Sequence, residues 1–271
     1  MASTLAFNAP FLASAASPAS PRLADASTSL HGVMLAWEDV LAPITLLGCR
    51  VGLTNSNQAL QNAQLQLAQD VYLQQALAGI EEQMLQLITT AATLGPVYIV
   101  TSKSLKFMEL SCSLFFPRLA AFLLQANMTS SVGLLAKLQQ HRVQVIAAPR
   151  KFTTAVEEAT WRLTVFQQIC VDVAVQRALM LGAPLPTTQS QSQLLLRDFE
   201  VGRFGLISLS ALEVDTPICV KALEATAPFA VPKCVQVSSE MSLEAFFAQL
   251  QTLKRYVGSA AAQTNAFATR L

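Results

Sequence analysis

Acidic and hydroxyl side chains follow two short apolar segments of the sequence. Glu38 and Asp39 come shortly after one segment, and Thr101 with Ser102 ends another. A pair of carboxylates can exchange protons or bind a metal ion, and hydroxyls beside a helix N-terminus can bind an anion. A solvated loop for the acids, and a helix cap or strand-end turn for the hydroxyls, are the structural alternatives. Both interpretations stay open from the residues alone.

A second group of charged residues lies further along the chain. Arg162 belongs to a long helical segment, whereas Glu213 and Asp215 follow another apolar segment. An arginine can neutralise an anionic group, and carboxylates are oxygen ligands that suit magnesium. The first turn of a helix also favours acids electrostatically, so Glu213 and Asp215 have a purely structural alternative.

Short apolar segments alternate with helical segments, and this order predicts where the polar residues lie. Five strands are predicted, at Gly32–Ala36, Val97–Thr101, Val143–Ala147, Phe204–Leu209 and Cys234–Val237. The main helical segments are predicted at 57–90, 107–125, 154–181, 217–226 and 241–257, and Pro117 is expected to interrupt the second of them and to open a new helix. The alternation indicates a three-layer, Rossmann-like α/β fold, with a mostly parallel sheet and helices on both faces. Ligands bind such sheets at the carboxyl ends of the strands, where the acids and hydroxyls stand.

Charge and hydropathy exclude several classes of protein. Charged residues make up 13% of the chain, about half of the roughly 25% that is usual, and mean hydropathy is +0.42. Lys plus Arg is 18 and Asp plus Glu is 17, so no basic excess favours nucleic acid. No unbroken apolar run reaches the roughly 20 residues of a membrane span. Five cysteines without C-x-x-C, and two histidines, argue against a disulfide framework or a histidine-based metal site.

The ends of the chain differ in composition from its middle. Residues 1–30 are rich in Ala, Ser and Pro, with no acid before Asp25, and we expect a disordered or targeting-like tail. Residues 31–257 are expected to form one α/β domain, and 258–271 a C-terminal tail. The composition of the first segment is compatible with a cytoplasmic or an organellar location.

The predicted elements also carry an ordered series of short motifs. Trp37, Asp39 and Leu41 follow the first strand, and after them come VYIVT, MELS, FPRL, VIAA, the pair Trp161–Arg162, and ILS. The series resembles the haloacid-dehalogenase-like (HAD-like) superfamily, most closely its protist and algal branch. The resemblance extends over about residues 32–257 and implies the same three-layer fold.

The resemblance implies phosphoryl transfer in the parent family, but this chain departs from its motifs. In the family, the first Asp of D-x-D attacks the phosphoryl group and the second protonates the leaving group, with magnesium held by acids. Here Ala36 stands at the nucleophile position and Ala211 at the magnesium position of the fourth motif. Glu38 stands at the general-acid position, where it reaches one methylene further.

Other positions of the family pattern are partly kept. Arg162 stands at the cationic phosphate-binding position, and Thr101 or Ser102 keeps the hydroxyl of the second motif. The acids that remain for a metal are Asp39, Glu213 and Asp215.

This pattern predicts a catalytically inactive HAD-like domain, a pseudophosphatase with a binding or structural role. No residue is assigned as catalytic, no cofactor is expected, and another protein subunit is the expected partner. Two alternatives stay open. One is a phosphatase that acts on a phosphorylated small molecule through a non-standard acid site with Mg²⁺. The other is a subunit of an organellar complex.

Overall fold

The fold is taken from a computed structural model, which describes residues 4–5, 30–54, 56–128, 143–182, 184, 204–226, 230–239 and 242–271. The tail or targeting segment expected at 1–30 lies outside the described residues, apart from Thr4–Leu5 and residue 30.

One sheet organises the described chain. Its strands are Thr4–Leu5 (β1), Gly32–Ala36 (β2), Val97–Thr101 (β3), Val143–Ala147 (β4), Phe204–Ser210 (β5), Ala230–Gln236 (β6) and Phe267–Arg270 (β7). The order across the sheet is β1-β7-β6-β5-β2-β3-β4. Strands β2 to β7 are parallel, and only the two-residue β1 pairs antiparallel, with β7. The chain order reverses between β2 and β5, so the sheet is doubly wound with its switch point there.

The predicted parallel sheet flanked by helices is confirmed, but the count of five strands is wrong. Six parallel strands are present among the described residues, and the additional one is β7. It lies inside 258–271, for which the sequence predicts a tail. The Phe267 ring packs edge-on against Tyr256, with 6.1 Å between centroids, and this contact joins β7 to the preceding helix.

Eight helices are described. Their bounds are Ile44–Val51 (α1), Asn57–Gln69 (α2), Val71–Leu94 (α3), Leu105–Phe115 (α4), Pro117–Met128 (α5), Ala155–Met180 (α6), Asp215–Thr226 (α7) and Leu243–Ala262 (α8). The single helix predicted at 57–90 is two helices because Asp70 interrupts it. The Asp70 carboxylate accepts a hydrogen bond from the Leu73 amide at 2.8 Å and so caps the start of α3.

The two faces of the sheet carry separate cores, which explains why the strands are apolar throughout. Val33 and Leu35 of β2 belong to the core that includes residues of α3 and α8, whereas Met34 belongs to the core formed with α6 and α7. Successive side chains of a strand point to opposite faces, so a strand buried on both faces has no polar alternation. This packing leaves the strand ends as the places for polar groups.

Candidate functional site

The carboxyl ends of β2, β3 and β5 lie side by side at the switch point. Strand β2 pairs with both neighbours, with Ala36 opposite Val100 and Leu35 opposite Leu209. The Trp37 amide extends the pairing by donating to the Val100 carbonyl at 2.8 Å. The polar residues after these strands therefore meet at one edge of the sheet.

Asp39 fixes the loop between β2 and α1. Its Oδ1 accepts from the Thr45 amide at 2.9 Å, and its Oδ2 accepts from the Thr45 hydroxyl at 2.5 Å. Burial raises the pKa of Asp39, against the opposing effect of these bonds. The residue also has a positive φ of 59°, a left-handed conformation that is uncommon outside glycine, asparagine and aspartate. Both carboxylate oxygens of Asp39 thus stabilise the conformation of the β2–α1 loop.

Glu38 and Thr101 meet across the neighbouring ends of β2 and β3. The fully buried Thr101 hydroxyl donates to Glu38 Oε1 at 2.5 Å and accepts from the Lys103 amide at 3.1 Å. Glu38 Oε2 is buried and has no hydrogen-bond partner. Burial raises the pKa of Glu38, although Thr101, Arg162 and Lys103 each act to lower it.

The hydroxyl that caps the next helix comes from a residue further along the chain. Ser104 Oγ accepts from the Phe107 amide at 3.3 Å at the start of α4, so neither Thr101 nor Ser102 is the N-cap. Ser102 is half-buried in the bend between β3 and α4. Of the two hydroxyls, Thr101 is therefore the one that the structure brings against Glu38.

A buried ion pair lies beside this cluster. Arg162 Nη1 donates to Asp215 Oδ1 at 3.0 Å and to Oδ2 at 2.8 Å, and both side chains are at most 2% exposed. The Ser210 hydroxyl at the end of β5 donates to Asp215 Oδ2 at 2.5 Å. Burial raises the pKa of Asp215, and the Arg162 charge is the strongest opposing influence. Arg162 Nε also reaches Glu158 Oε1 at 3.4 Å.

Ala36, Ala211 and Glu213 are the other predicted positions of the site. The methyl group of Ala36 belongs to the core, and half-buried Ala211 packs against the same core. Glu213 is 74% exposed and accepts from Arg270 Nη1 at 3.4 Å, so it contacts β7 and not the buried pair. The structure thus brings Glu38, Thr101, Arg162 and Asp215 to one edge of the sheet and leaves Glu213 outside.

The residues present do not fit magnesium. Among the described residues, no three His, Cys, Asp or Glu side chains group in a way that could hold a metal ion. Asp215 is bonded to Arg162 and Ser210, and Asp39 to Thr45. A hard cation needs several oxygen ligands, and these carboxylates already satisfy protein donors.

Two contacts of the buried pair were absent from the sequence predictions. Ser210 is the polar last residue of the mainly apolar strand β5, and this position at the strand end is the sequence feature that indicates it. Glu158 precedes Arg162 by four residues on α6, the spacing at which opposite charges meet on one helix face. The pairing of Arg162 with Asp215 has no comparable local signal.

Replacing Glu38 with glutamine is expected to stabilise the protein increasingly as pH rises. The amide oxygen can still accept from Thr101, but the side chain cannot ionise. The folded state raises the pKa of Glu38. Ionisation therefore lowers the free energy of unfolding of the wild type as pH rises from the ordinary carboxyl pKa through the raised one. Urea unfolding from about pH 4 to about pH 8 measures the difference.

Glu157→Gln is the matched control, because its pKa shift has the opposite direction. Hydrogen bonds from Thr153 lower the pKa of half-buried Glu157. This variant should lose stability relative to the wild type as pH rises through the carboxyl range. Parallel pH curves for Glu38→Gln and the wild type would contradict the burial of an ionisable acid at this site.

The fold and site define a doubly wound α/β protein with a polar cluster at the switch point of its sheet. No protein-family model, curated protein or solved structure matches the chain. Within the described ranges, none of the helices has the length and apolar character needed to cross a bilayer.

Proposed function

We propose that this chain is a HAD-like domain that has lost phosphoryl transfer and serves as a binding or structural domain. The observation that carries the proposal is the buried Arg162–Asp215 pair. Arg162 stands where the family places its phosphate-binding cation, and here its charge is neutralised by an acid of the same chain. An incoming phosphoryl group would have to compete with that carboxylate in a buried setting.

The absence of a nucleophile supports the same conclusion. Ala36 carries a methyl group where the family reaction needs a carboxylate, and Ala211 carries another where it needs a magnesium ligand. Phosphoryl transfer depends on positioning and on neutralising the charge of the transferring group. This chain provides neither the attacking group nor the metal acids of the family pattern.

The HAD-like part of the proposal is supported by the order of the strands and by the positions of the polar side chains at their ends. The motif-bearing strands β2, β3 and β5 are neighbours, and Arg162 is close enough to Glu38 to lower its pKa. The acid, hydroxyl and cation positions of the resemblance therefore meet at one edge. Many unrelated functions occur on related folds, so this arrangement supports the class of domain and not a particular ligand.

A second candidate function is a phosphatase that acts on a phosphorylated small molecule through Glu38. One observation favours it. Glu38 Oε2 is buried beside Thr101 and has no partner, so this oxygen is free to act as an acid or base. The assay that separates this candidate from the first is a phosphatase assay with the Glu38→Gln variant.

Restoring the missing acids tests the proposal that this edge is an emptied HAD-like site. Ala36→Asp combined with Ala211→Asp should give a protein whose Tm rises with millimolar Mg²⁺, because an ion that binds only the folded state stabilises it. The wild-type Tm should not respond to Mg²⁺ beyond its response to the same ionic strength of sodium chloride.

The single variants are the matched controls for this experiment. Ala36→Asp or Ala211→Asp alone supplies one new carboxylate. Mg²⁺ should therefore raise the Tm of each single variant less than it raises the Tm of the double variant. A folded double variant that ignores Mg²⁺ would contradict the assignment of these two positions. A wild type stabilised specifically by Mg²⁺ would contradict the loss of the metal site.

A further inference from the structure

Helix α2 lies in a part of the chain that carries no charge. Residues 51–69 include no Asp, Glu, Lys or Arg. The nearest charged residues on either side, Arg50 and Asp70, form an ion pair with each other at 2.8 Å. The outer face of a surface helix normally carries charged and polar side chains together. Helix α2 therefore differs from an ordinary solvated helix.

One side of α2 packs on the domain and leaves a leucine on the other side. Ala63 is buried, and half-buried Leu60 and Leu67 pack against the core that includes residues of α3 and α8. At 3.6 residues per turn these three residues form one row along the helix, and Leu65 lies on the opposite side. Leu65 is 63% exposed, so it contributes little to the core of its own chain.

Amide side chains surround Leu65 on this outward face. The residues that share the face by helical spacing are all exposed, and they are Gln58, Gln61, Asn62, Ala68 and Gln69. A side-chain amide both donates and accepts hydrogen bonds. A face of amides around one leucine is therefore complementary to a copy of itself, in hydrogen bonding as well as in apolar contact.

The lack of charge on this face narrows the choice of partner. Nucleic acids and anionic lipid surfaces are bound through Lys and Arg, which the face does not have. A strongly charged protein surface would find no opposite charge here to match its own. The central part of a protein–protein interface is depleted in charged residues. A second surface of the same uncharged kind is therefore the best match.

We propose that α2 forms the contact between two copies of this chain in a symmetric dimer. A twofold axis passes near Leu65, so that the two Leu65 side chains pack on each other. The two helices run antiparallel, which brings opposite ends of their dipoles together. Gln61 of each copy then faces Gln69 of the other copy, because both positions lie four residues from Leu65. The dimer does not depend on the proposed loss of phosphoryl transfer.

The size of the face determines how strong this dimer is. A helix of 13 residues is about 20 Å long and about 10 Å wide. Its outward face is well below the roughly 800 Å² per partner of a standard interface. We therefore expect a monomer–dimer equilibrium that shifts with protein concentration, and not a permanent dimer.

Sedimentation velocity of the full chain from about 1 µM to about 200 µM measures this equilibrium. The average mass should rise with concentration from that of the 29.1 kDa chain towards twice that value. Leu65→Glu places two carboxylates against each other at the axis and should weaken the dimer by about tenfold or more. Leu110→Glu makes the same change at a leucine of α4 that is 41% exposed, and it should leave the equilibrium unchanged.

Two oppositely charged double variants show whether the partner is a second copy. Gln61→Glu with Gln69→Glu should be monomeric, and so should Gln61→Lys with Gln69→Lys, because like charges then face each other. An equimolar mixture of the two should associate, since each Glu then faces a Lys. Both positions are exposed, and Gln, Glu and Lys have similar helix propensities, so the variants should fold.

The proposal fails under any of three outcomes. One is a wild-type mass that stays at that of the monomer over the whole concentration range. Another is a dimer that Leu65→Glu weakens no more than Leu110→Glu does, which would place the contact elsewhere on the surface. The last is a mixture of the two charged variants that stays monomeric. The wild-type measurement needs no substitution, so it decides the matter even if a variant does not fold.

Discussion

Arg162→Met is expected to lower the free energy of unfolding by about 3–5 kcal/mol, the usual effect of removing one partner of a buried ion pair. Methionine keeps most of the apolar stem but leaves the Asp215 carboxylate buried without its cation. Asp215 is 1% exposed, so water cannot replace the lost guanidinium without a change in packing. Urea unfolding monitored by circular dichroism at neutral pH measures the loss.

A second substitution shows whether the loss comes from the uncompensated charge. Adding Asp215→Asn to Arg162→Met should recover much of the stability, because the buried group is then neutral. Arg150→Met is the matched control, since the Arg150 side chain is 69% exposed and pairs with Glu157 at the surface. Exposed pairs contribute about 0–1 kcal/mol. A loss for Arg162→Met as small as that for Arg150→Met would contradict the buried pair.

Trp37→Ala is expected to lower the free energy of unfolding by about 3–5 kcal/mol as well, as removal of a buried aromatic side chain does. Trp37 is fully buried and meets the Phe116 ring edge-on, with 6.3 Å between centroids. It directly precedes Glu38, so its packing holds the loop that carries this acid. Thermal unfolding and urea unfolding measure the loss.

Trp161→Ala provides the control, because Trp161 and Trp37 are the two tryptophans of the chain. Trp161 is half-buried and packs on Phe152 with 5.3 Å between centroids. Its removal exposes less new apolar surface, and the loss of stability should be smaller. Equal losses for the two variants would contradict the role of Trp37 as the main anchor of the β2–α1 loop.

The buried strands were predictable from sequence because their physical signal is local. Strands β2, β3 and β4 have the bounds that the apolar segments predict. A parallel strand covered on both faces appears as a short continuous apolar run. Strand β7 has no such signal, since its four residues FATR are half-buried or exposed. Its place depends on pairing with β6, which the sequence does not display.

The sequence indicates which residues belong to the candidate site, but not which of them form the buried ion pair. Parallel strands put Glu38 and Thr101 at one edge, as the order of strands and helices indicates. Arg162 and Asp215 are 53 residues apart, and their contact depends on how α6 and α7 pack over the sheet. Long-range packing of this kind is set by the whole core, so a single sequence does not reveal it. Glu213 precedes Asp215 by only two residues, yet its side chain is exposed and does not take part in the buried ion pair.

The decisive measurement is the turnover of an aryl phosphate by the purified protein with Mg²⁺. We expect no hydrolysis above the uncatalysed rate for the wild type, because Ala36 offers no nucleophile and Arg162 is paired with Asp215. Magnesium-dependent hydrolysis that is retained by Glu157→Gln and abolished by Glu38→Gln would contradict it. That result would assign the chemistry to Glu38 and make this protein a phosphatase with a non-standard acid site.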